Sequence, residues 1–158
     1  MDGESLKNKI YTTFANVASS IGYSPLHGKI IAALLVNGGE LSLRELAKEI
    51  GYSTSMVSLS LDLLEILGVI SKTKKPQDRN LYVVLQGDLL ECLKNVIVMK
   101  VRKSIKKTLK DFEKSKNMLL DLPLDERKRI NKTLRMLERE IKRLEKYIDM
   151  LDQAKLPV

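Results

Sequence analysis

The chain has 158 residues, 44% of them hydrophobic, with no Trp, one Cys and a formal net charge of +8. That length suits one domain, or one domain with an appendage, built on an aliphatic core. The single thiol, Cys92, excludes an internal disulfide framework and a multi-thiolate zinc site, and reads as a small buried apolar residue in a reducing compartment. The start "MDGESLKNKI" is polar, and no apolar run approaches the ~18 residues of a membrane span, so a cytoplasmic protein with no membrane partner is expected. Charge is unevenly distributed. Residues 1–90 hold 9 Lys and Arg against 9 Asp and Glu, whereas residues 91–158 hold 19 against 11. A basic excess suggests a polyanionic partner, but this one lies wholly in the second half and does not by itself locate a nucleic-acid site.

Leu6, Ile10, Phe14, Val17 and Ile21 recur every three or four residues and predict a first amphipathic helix, ended by Gly22. Ser24 caps the next, with Pro25 in its first turn and the stripe Leu26, Ile30, Ile31, Leu34 and Leu35. Asn37-Gly38-Gly39 stops it. Ser42 and Glu45 form an S-x-x-E capping box for a short helix whose Leu43, Leu46, Ala47 and Ile50 face inward. Gly51 breaks that helix and Ser53 caps another. After Gly68 the period changes. "VISKTKK" and "LYVVLQ" read as two strands flanking the turn "PQDRN". Three helices and then a hairpin, with a Gly-containing turn between the second and third, is the winged helix-turn-helix order. From Asp88 the chain reads as long helices. Leu93, Ile97, Val101, Ile105, Leu109, Phe112 and Leu119 form one stripe, and Pro123 interrupts. Ile130, Leu134, Leu137, Ile141, Leu144, Ile148 and Leu151 then follow a strict 4,3 heptad over about 33 Å. The fold class is mainly α: a winged helix-turn-helix domain (1–88) with a two-stranded β wing, then long C-terminal dimerisation helices (89–158).

The stretch "GYSTSMVSLSLDLLEILGVI" carries the functional question. At 100° per residue Val57, Leu61 and Leu64 share one sector and face the core, while Ser55, Leu59 and Asp62 lie opposite, with Ser58 alongside. An ordinary surface helix would carry Glu, Lys or Ala there. Small hydroxyls beside unsatisfied N–H groups allow close approach and can bond phosphates or base edges, as a recognition helix in a major groove requires. Asp62 would repel a nearby phosphate. In the hairpin, Lys72, Lys74, Lys75 and Arg79 lie within eight residues; they suit phosphate contact, or a strand edge guarded by lysines.

The segment "LSLRELAKEIGYSTSMVSLSLDLLEILGVISKTKKPQDRNLYVVL" resembles the winged-helix core of the MarR superfamily. The matching elements are "LAKEIGYS", the "VSxxLxxLxxxGVI" pattern and the Asp-Arg wing. The short N-terminal helix and the long basic C-terminal helices look most like the GbsR-like branch. The resemblance implies a homodimeric transcriptional regulator binding double-stranded DNA, with residues 54–67 in the major groove and wing 71–81 near the minor groove. It departs at Asp78-Arg79-Asn80, where many family wings carry a second arginine. The candidate DNA-contacting residues are Ser42, Ser53, Thr54, Ser55, Ser58, Leu59, Lys72, Lys74, Lys75 and Arg79. Candidate dimer residues are Leu6, Ile10 and Phe14 with the heptad Ile130, Leu134, Leu137, Ile141, Leu144, Ile148 and Leu151; the heptad could instead be satisfied by antiparallel folding about Pro123.

His27, the only histidine, has no neighbouring Cys or acidic cluster and reads as a packing or surface residue, so no metal is expected. No phosphate loop, nucleophile elbow or catalytic triad appears, so neither enzyme activity nor a cofactor is expected. Family members often sense small molecules, but no aromatic cage here identifies an effector. The basic segments "KVRKSIKKTLKDFEKSK" and "ERKRINKTLRMLEREIKRLEK" could meet the DNA backbone or be solvated helix faces; the second reads as a solvated face with i,i+4 pairs such as Glu138–Lys142, and the first, which follows the wing directly, fits either. The alternative function is a protein-interaction module that docks through the winged helix and coiled coil.

Overall fold

The computed structural model describes residues 2–158, and each helix start in it has a local cause. Asp2 caps α1 (Gly3–Ser20) by accepting from the Ser5 N–H at 2.8 Å. Ser24 caps α2 (Pro25–Val36), whose proline sits where no N–H is needed. The Ser42–Glu45 capping box closes reciprocally at the start of α3 (Leu43–Ile50), with bonds of 3.1 and 3.0 Å. Gly51, left-handed at φ 74°, ends α3, and Ser53 caps α4 (Thr54–Ile66).

The residues up to Leu93 form one compact unit. Its sheet has three strands where the sequence pattern shows two. β1 (Glu40–Ser42) precedes α3, and β2 (Ile70–Lys74) and β3 (Leu81–Leu85) form the wing hairpin, in the antiparallel order β1-β3-β2. Leu41 and Lys72 both pair with Val83. β1 escapes sequence reading because three residues after Gly39, the last of them the helix cap Ser42, carry no period; only the far strand β3 makes them a strand. Ile30, Leu34, Leu46, Val57, Leu61, Leu64, Val69, Ile70 and Val83 close the core. The result is a winged helix-turn-helix, with α4 held by α2 and α3 and followed by the wing.

α1 packs on α2 through a face the apolar spacing does not indicate. Tyr11, Ala15 and Ala18 are buried, whereas Leu6 is 50% exposed, Val17 is exposed, and Ile10 and Phe14 are half-buried. Gly28 supplies the reason: a Cβ there would lie 2.8 Å from the Ala15 nitrogen and closer still to the Phe14 carbonyl. The backbones touch at Gly28, so the contact face of α1 must be lined by small residues. Tyr11 reaches past this crossing and donates its hydroxyl to Glu49 at 2.6 Å, tying α1 to α3. The lone cysteine is buried in this unit, with its thiol 3.3 Å from the Gln86 carbonyl, and burial pushes its pKa up.

The second unit begins at Lys94 and consists of most of α5 (Leu89–Met118) and all of α6 (Leu124–Gln153). The two run antiparallel. Arg102 bridges Asp149 and Asp152 at 3.0 and 3.1 Å near the open end, and Lys116 pairs with Glu138 nearer the turn. The Arg127 guanidinium donates to the carbonyls of Leu119, Leu120 and Leu122, satisfying acceptors left over where α5 ends in a 3-10 turn. Val98, Ile105 and Ile148 form the buried cluster, with Val101, Leu109 and Ile141 against it.

Candidate nucleic-acid interface

The outer surface of α4 begins at its cap. Ser53 accepts from the Met56 N–H at 3.2 Å, and no acidic residue occupies the first turn. The partial positive charge of the helix start is therefore not offset from within. Val57, Leu61 and Leu64 are buried and anchor the helix. Thr54 and Ser55 are exposed, and Leu59 stands 75% exposed. Ser58 departs from expectation. It is half-buried at a shallow trough lined by Leu43, Thr54, Ser55, Leu59 and Asp62, rather than free on the outer face. Leu43, read from the sequence as an inward residue, is half-buried and forms part of the same trough.

Ser42 does not belong to this surface. It is 5% exposed, and both its hydroxyl and its N–H are engaged by Glu45. Its capping role and a DNA-contacting role compete for the same atoms.

Two of the four wing cations are occupied. Lys72 reaches back to α4, 2.6 Å from Asp62 and 3.8 Å from Glu65, and the hydrogen bond to Asp62 raises its pKa. Lys72 is thus not a free phosphate ligand. The same pair corrects the expectation for Asp62, whose charge on the outer face of α4 is offset by the wing. Lys75 pairs with Glu40 at 3.3 Å and lies 4.0 Å above the Tyr82 ring. Lys74 and Arg79 are exposed and have no ion pair among the described residues.

The wing turn is built around Asp78. It accepts from the Asn80 N–H at 2.9 Å and from the Tyr82 hydroxyl at 2.6 Å. The tyrosine hydroxyl, foremost, holds the Asp78 pKa below the usual carboxylate range. In this chain the aspartate of the Asp-Arg pair shapes the turn that carries Arg79.

The candidate dimer residues divide in a regular way. Leu134 and Ile148 are buried and Ile141 half-buried against α5, seven residues apart. Ile130, Leu137, Leu144 and Leu151, also seven apart, remain 38–44% exposed. One heptad position of α6 is used within the hairpin and the other is not. His27 packs edge-on to Tyr23, with ring centroids 6.1 Å apart, and burial lowers its pKa. Among the described residues no cluster of His, Cys, Asp and Glu could hold a metal ion, and no helix is long and apolar enough to cross a membrane.

No family model matches the chain, and no curated protein matches it in sequence. Solved structures do resemble it. A transcriptional regulator overlays with a TM-score of 0.65 at 20% identity, covering 92% of this chain and 95% of that one. The organohalide-sensing regulator RdhR, in its ligand-free form, overlays at 0.43 with 21% identity, over 97% and 85% of the two chains. The PcaV regulator of Streptomyces coelicolor overlays at 0.42 with 19% identity, over 87% and 93%. Of these three, the first is similar enough to bear on architecture, and it supports the winged-helix fold.

Proposed function

We propose that the chain is a sequence-specific, DNA-binding transcriptional regulator of the MarR type, close to its GbsR-like branch, acting in the cytoplasm as a homodimer. The observation that carries this reading is the outer surface of α4: a capped helix start without acidic residues, small hydroxyls at Thr54, Ser55 and Ser58, and an exposed Leu59, all on a helix anchored from behind. Such a surface admits a base-pair edge, and Leu59 suits a thymine methyl. Lys74 and Arg79 supply phosphate or minor-groove contacts from the wing. The unused heptad position of α6, with the exposed Leu6 and the half-buried Ile10 and Phe14, supports assembly through a second copy.

The test begins by selecting bound duplexes from a random pool. Ser55→Phe should abolish specific binding with little change in the thermal melt, because the position is exposed. Leu61→Ala should cost roughly 2–5 kcal/mol of stability as a core cavity. If Ser55→Phe binds its selected site at full strength, α4 does not read DNA. Light scattering should give twice the chain mass, and Leu137→Lys with Leu144→Lys should reduce it to one.

A second reading, a protein-docking module, draws on the pairing of Lys72 and Lys75 with acidic side chains, which leaves the winged surface close to neutral. It predicts that substitutions on α4 and the wing leave duplex binding and its salt slope unchanged.

A further inference from the structure

α6 carries a second periodic stripe beside its apolar heptad. Lys128, Lys132, Arg135, Arg139, Lys142 and Lys146 recur at 4,3,4,3,4, each two residues before an apolar heptad position. At 100° per residue they share the face opposite the apolar seam, while Glu138, Glu140 and Glu145 fall on other faces. All six are exposed. Among the described residues only Lys142 of the six has an acidic partner, Glu138 at 3.4 Å. Glu138 is itself drawn toward α5 by Lys116, so the nearest carboxylate is held to one side. Arg135, Arg139, Lys142 and Lys146 border a recess between α6 and Lys116 of α5.

Each step along this stripe is a like-charge i,i+3 or i,i+4 pair, which destabilises a helix. Solubility alone does not require the arrangement, since alternating signs would serve it better. We propose that this stripe binds the phosphate backbone of double-stranded DNA without regard to sequence, at a surface separate from α4 and the wing. The stripe is continuous, because α6 runs 30 residues without interruption. It extends for about 27 Å at 1.5 Å per residue, against a rigid duplex that offers one charge per ~1.7 Å of its axis. Its two central residues are arginines with no ion-pair partner among the described residues, and the planar fork of a guanidinium fits phosphate oxygens in pairs. Contacts of Lys and Arg to phosphate carry no sequence information, so a stripe that tracks the backbone positions rather than specifies.

The outer face of α5 provides a charge-matched control. Lys103, Lys107, Lys110 and Lys114 are exposed there at 4,3,4 spacing, all of them lysines. Binding of the full-length protein to a duplex lacking any selected site is measured by fluorescence anisotropy across a salt series. Changing Arg135, Arg139, Lys142 and Lys146 to Gln should weaken binding at least tenfold at 0.1 M salt and flatten the slope of log K against log salt by roughly 3 units. Changing the four α5 lysines to Gln should do much less. Arg135→Lys with Arg139→Lys should retain the slope, since the charges remain. Circular dichroism checks that each variant keeps its helices. Equal losses from the α5 and α6 variants would reduce the effect to net charge and overturn the proposal. So would an unchanged slope in the α6 variant, or competition by polyglutamate as strong as that by duplex at equal charge. Because α4 is untouched, failure here leaves binding to a selected site intact, whereas failure of the α4 reading leaves this slope intact.

Discussion

Gly28→Ala tests whether the α1–α2 crossing is set by backbone contact. In an ordinary helix interior the change favours Ala by about 1 kcal/mol. Here the added Cβ would sit 2.5 Å from the Phe14 carbonyl carbon and 2.8 Å from the Ala15 nitrogen. Carbon pairs settle at about 3.5–4.0 Å, so α1 must retreat by roughly 1 Å at the crossing. Neither contact is the end of a flexible side chain that could turn aside. Overpacking of this kind costs about 1–3 kcal/mol, and retreat also loosens Tyr11, Ala15 and Ala18 against α2. The net expectation is a loss of about 1–2 kcal/mol, or roughly 2–8 °C in melting temperature for a chain of this size. Gly3→Ala is the control: nothing lies within 4 Å of its Cβ, so it should be neutral or slightly stabilising. Urea unfolding of both variants beside the parent gives the comparison. A Gly28→Ala protein as stable as the parent, or more so, would show that the helices do not meet backbone to backbone.

Other substitutions probe the polar contacts. Burial, and then the Glu49 hydrogen bond, push the Tyr11 pKa up to about 12. The fold thus favours the neutral phenol, and this contribution, full below pH ~10, is lost as pH rises through about 12. Tyr11→Phe should cost about 1–3 kcal/mol at neutral pH and flatten that alkaline loss in pH-dependent urea melts. The Tyr11 hydroxyl also holds the Glu49 pKa low, so the Glu49 contribution is present above the usual carboxylate range and lost as pH falls through the depressed value. Asp62→Asn frees Lys72 from its closest partner; if α4 faces DNA, binding to all duplexes should tighten and the salt slope should steepen by up to roughly one unit. Lys74→Ala with Arg79→Ala should flatten that slope by roughly one unit per residue in each chain and weaken all duplexes alike.

What could be read from the sequence was local. Caps at Ser24, Ser42 and Ser53, the stop at Gly51, the anchors Val57, Leu61 and Leu64, and the change of period after Gly68 each depend on residues a few positions apart. What could not be read depends on partners far along the chain. Lys72 looks like a wing cation until the hairpin folds it onto Asp62, ten residues back. β1 is a strand only because β3 lies beside it. The burial pattern of α1 follows from the absence of a side chain at Gly28, which in sequence reads only as a weak point in a helix. Rotation at 100° per residue puts Ser58 beside the outer face but does not account for Leu43 of α3, which lines the same trough.

The count of free cations bears on how this fold could hold DNA. With Lys72 and Lys75 occupied, the wing offers Lys74 and Arg79. The hydroxyls and N–H groups of α4 can bond phosphates, but being uncharged they release few counterions. A dimer using only its wings would neutralise about four phosphates, giving a slope near −4 at roughly 0.9 per contact. A regulator making 6–10 such contacts has a slope well beyond that. Either the protein discriminates by shape and methyl contacts on a weak electrostatic base, or charge is supplied from elsewhere. The second half of the chain, with 19 Lys and Arg against 11 Asp and Glu, is where such charge exists. The slope measured on a duplex without a selected site separates the two cases. A value near −4 fits the wing cations alone, and one beyond about −8 calls for cations outside the wing, of which α3 (Arg44 and Lys48) and the α5–α6 hairpin carry exposed ones.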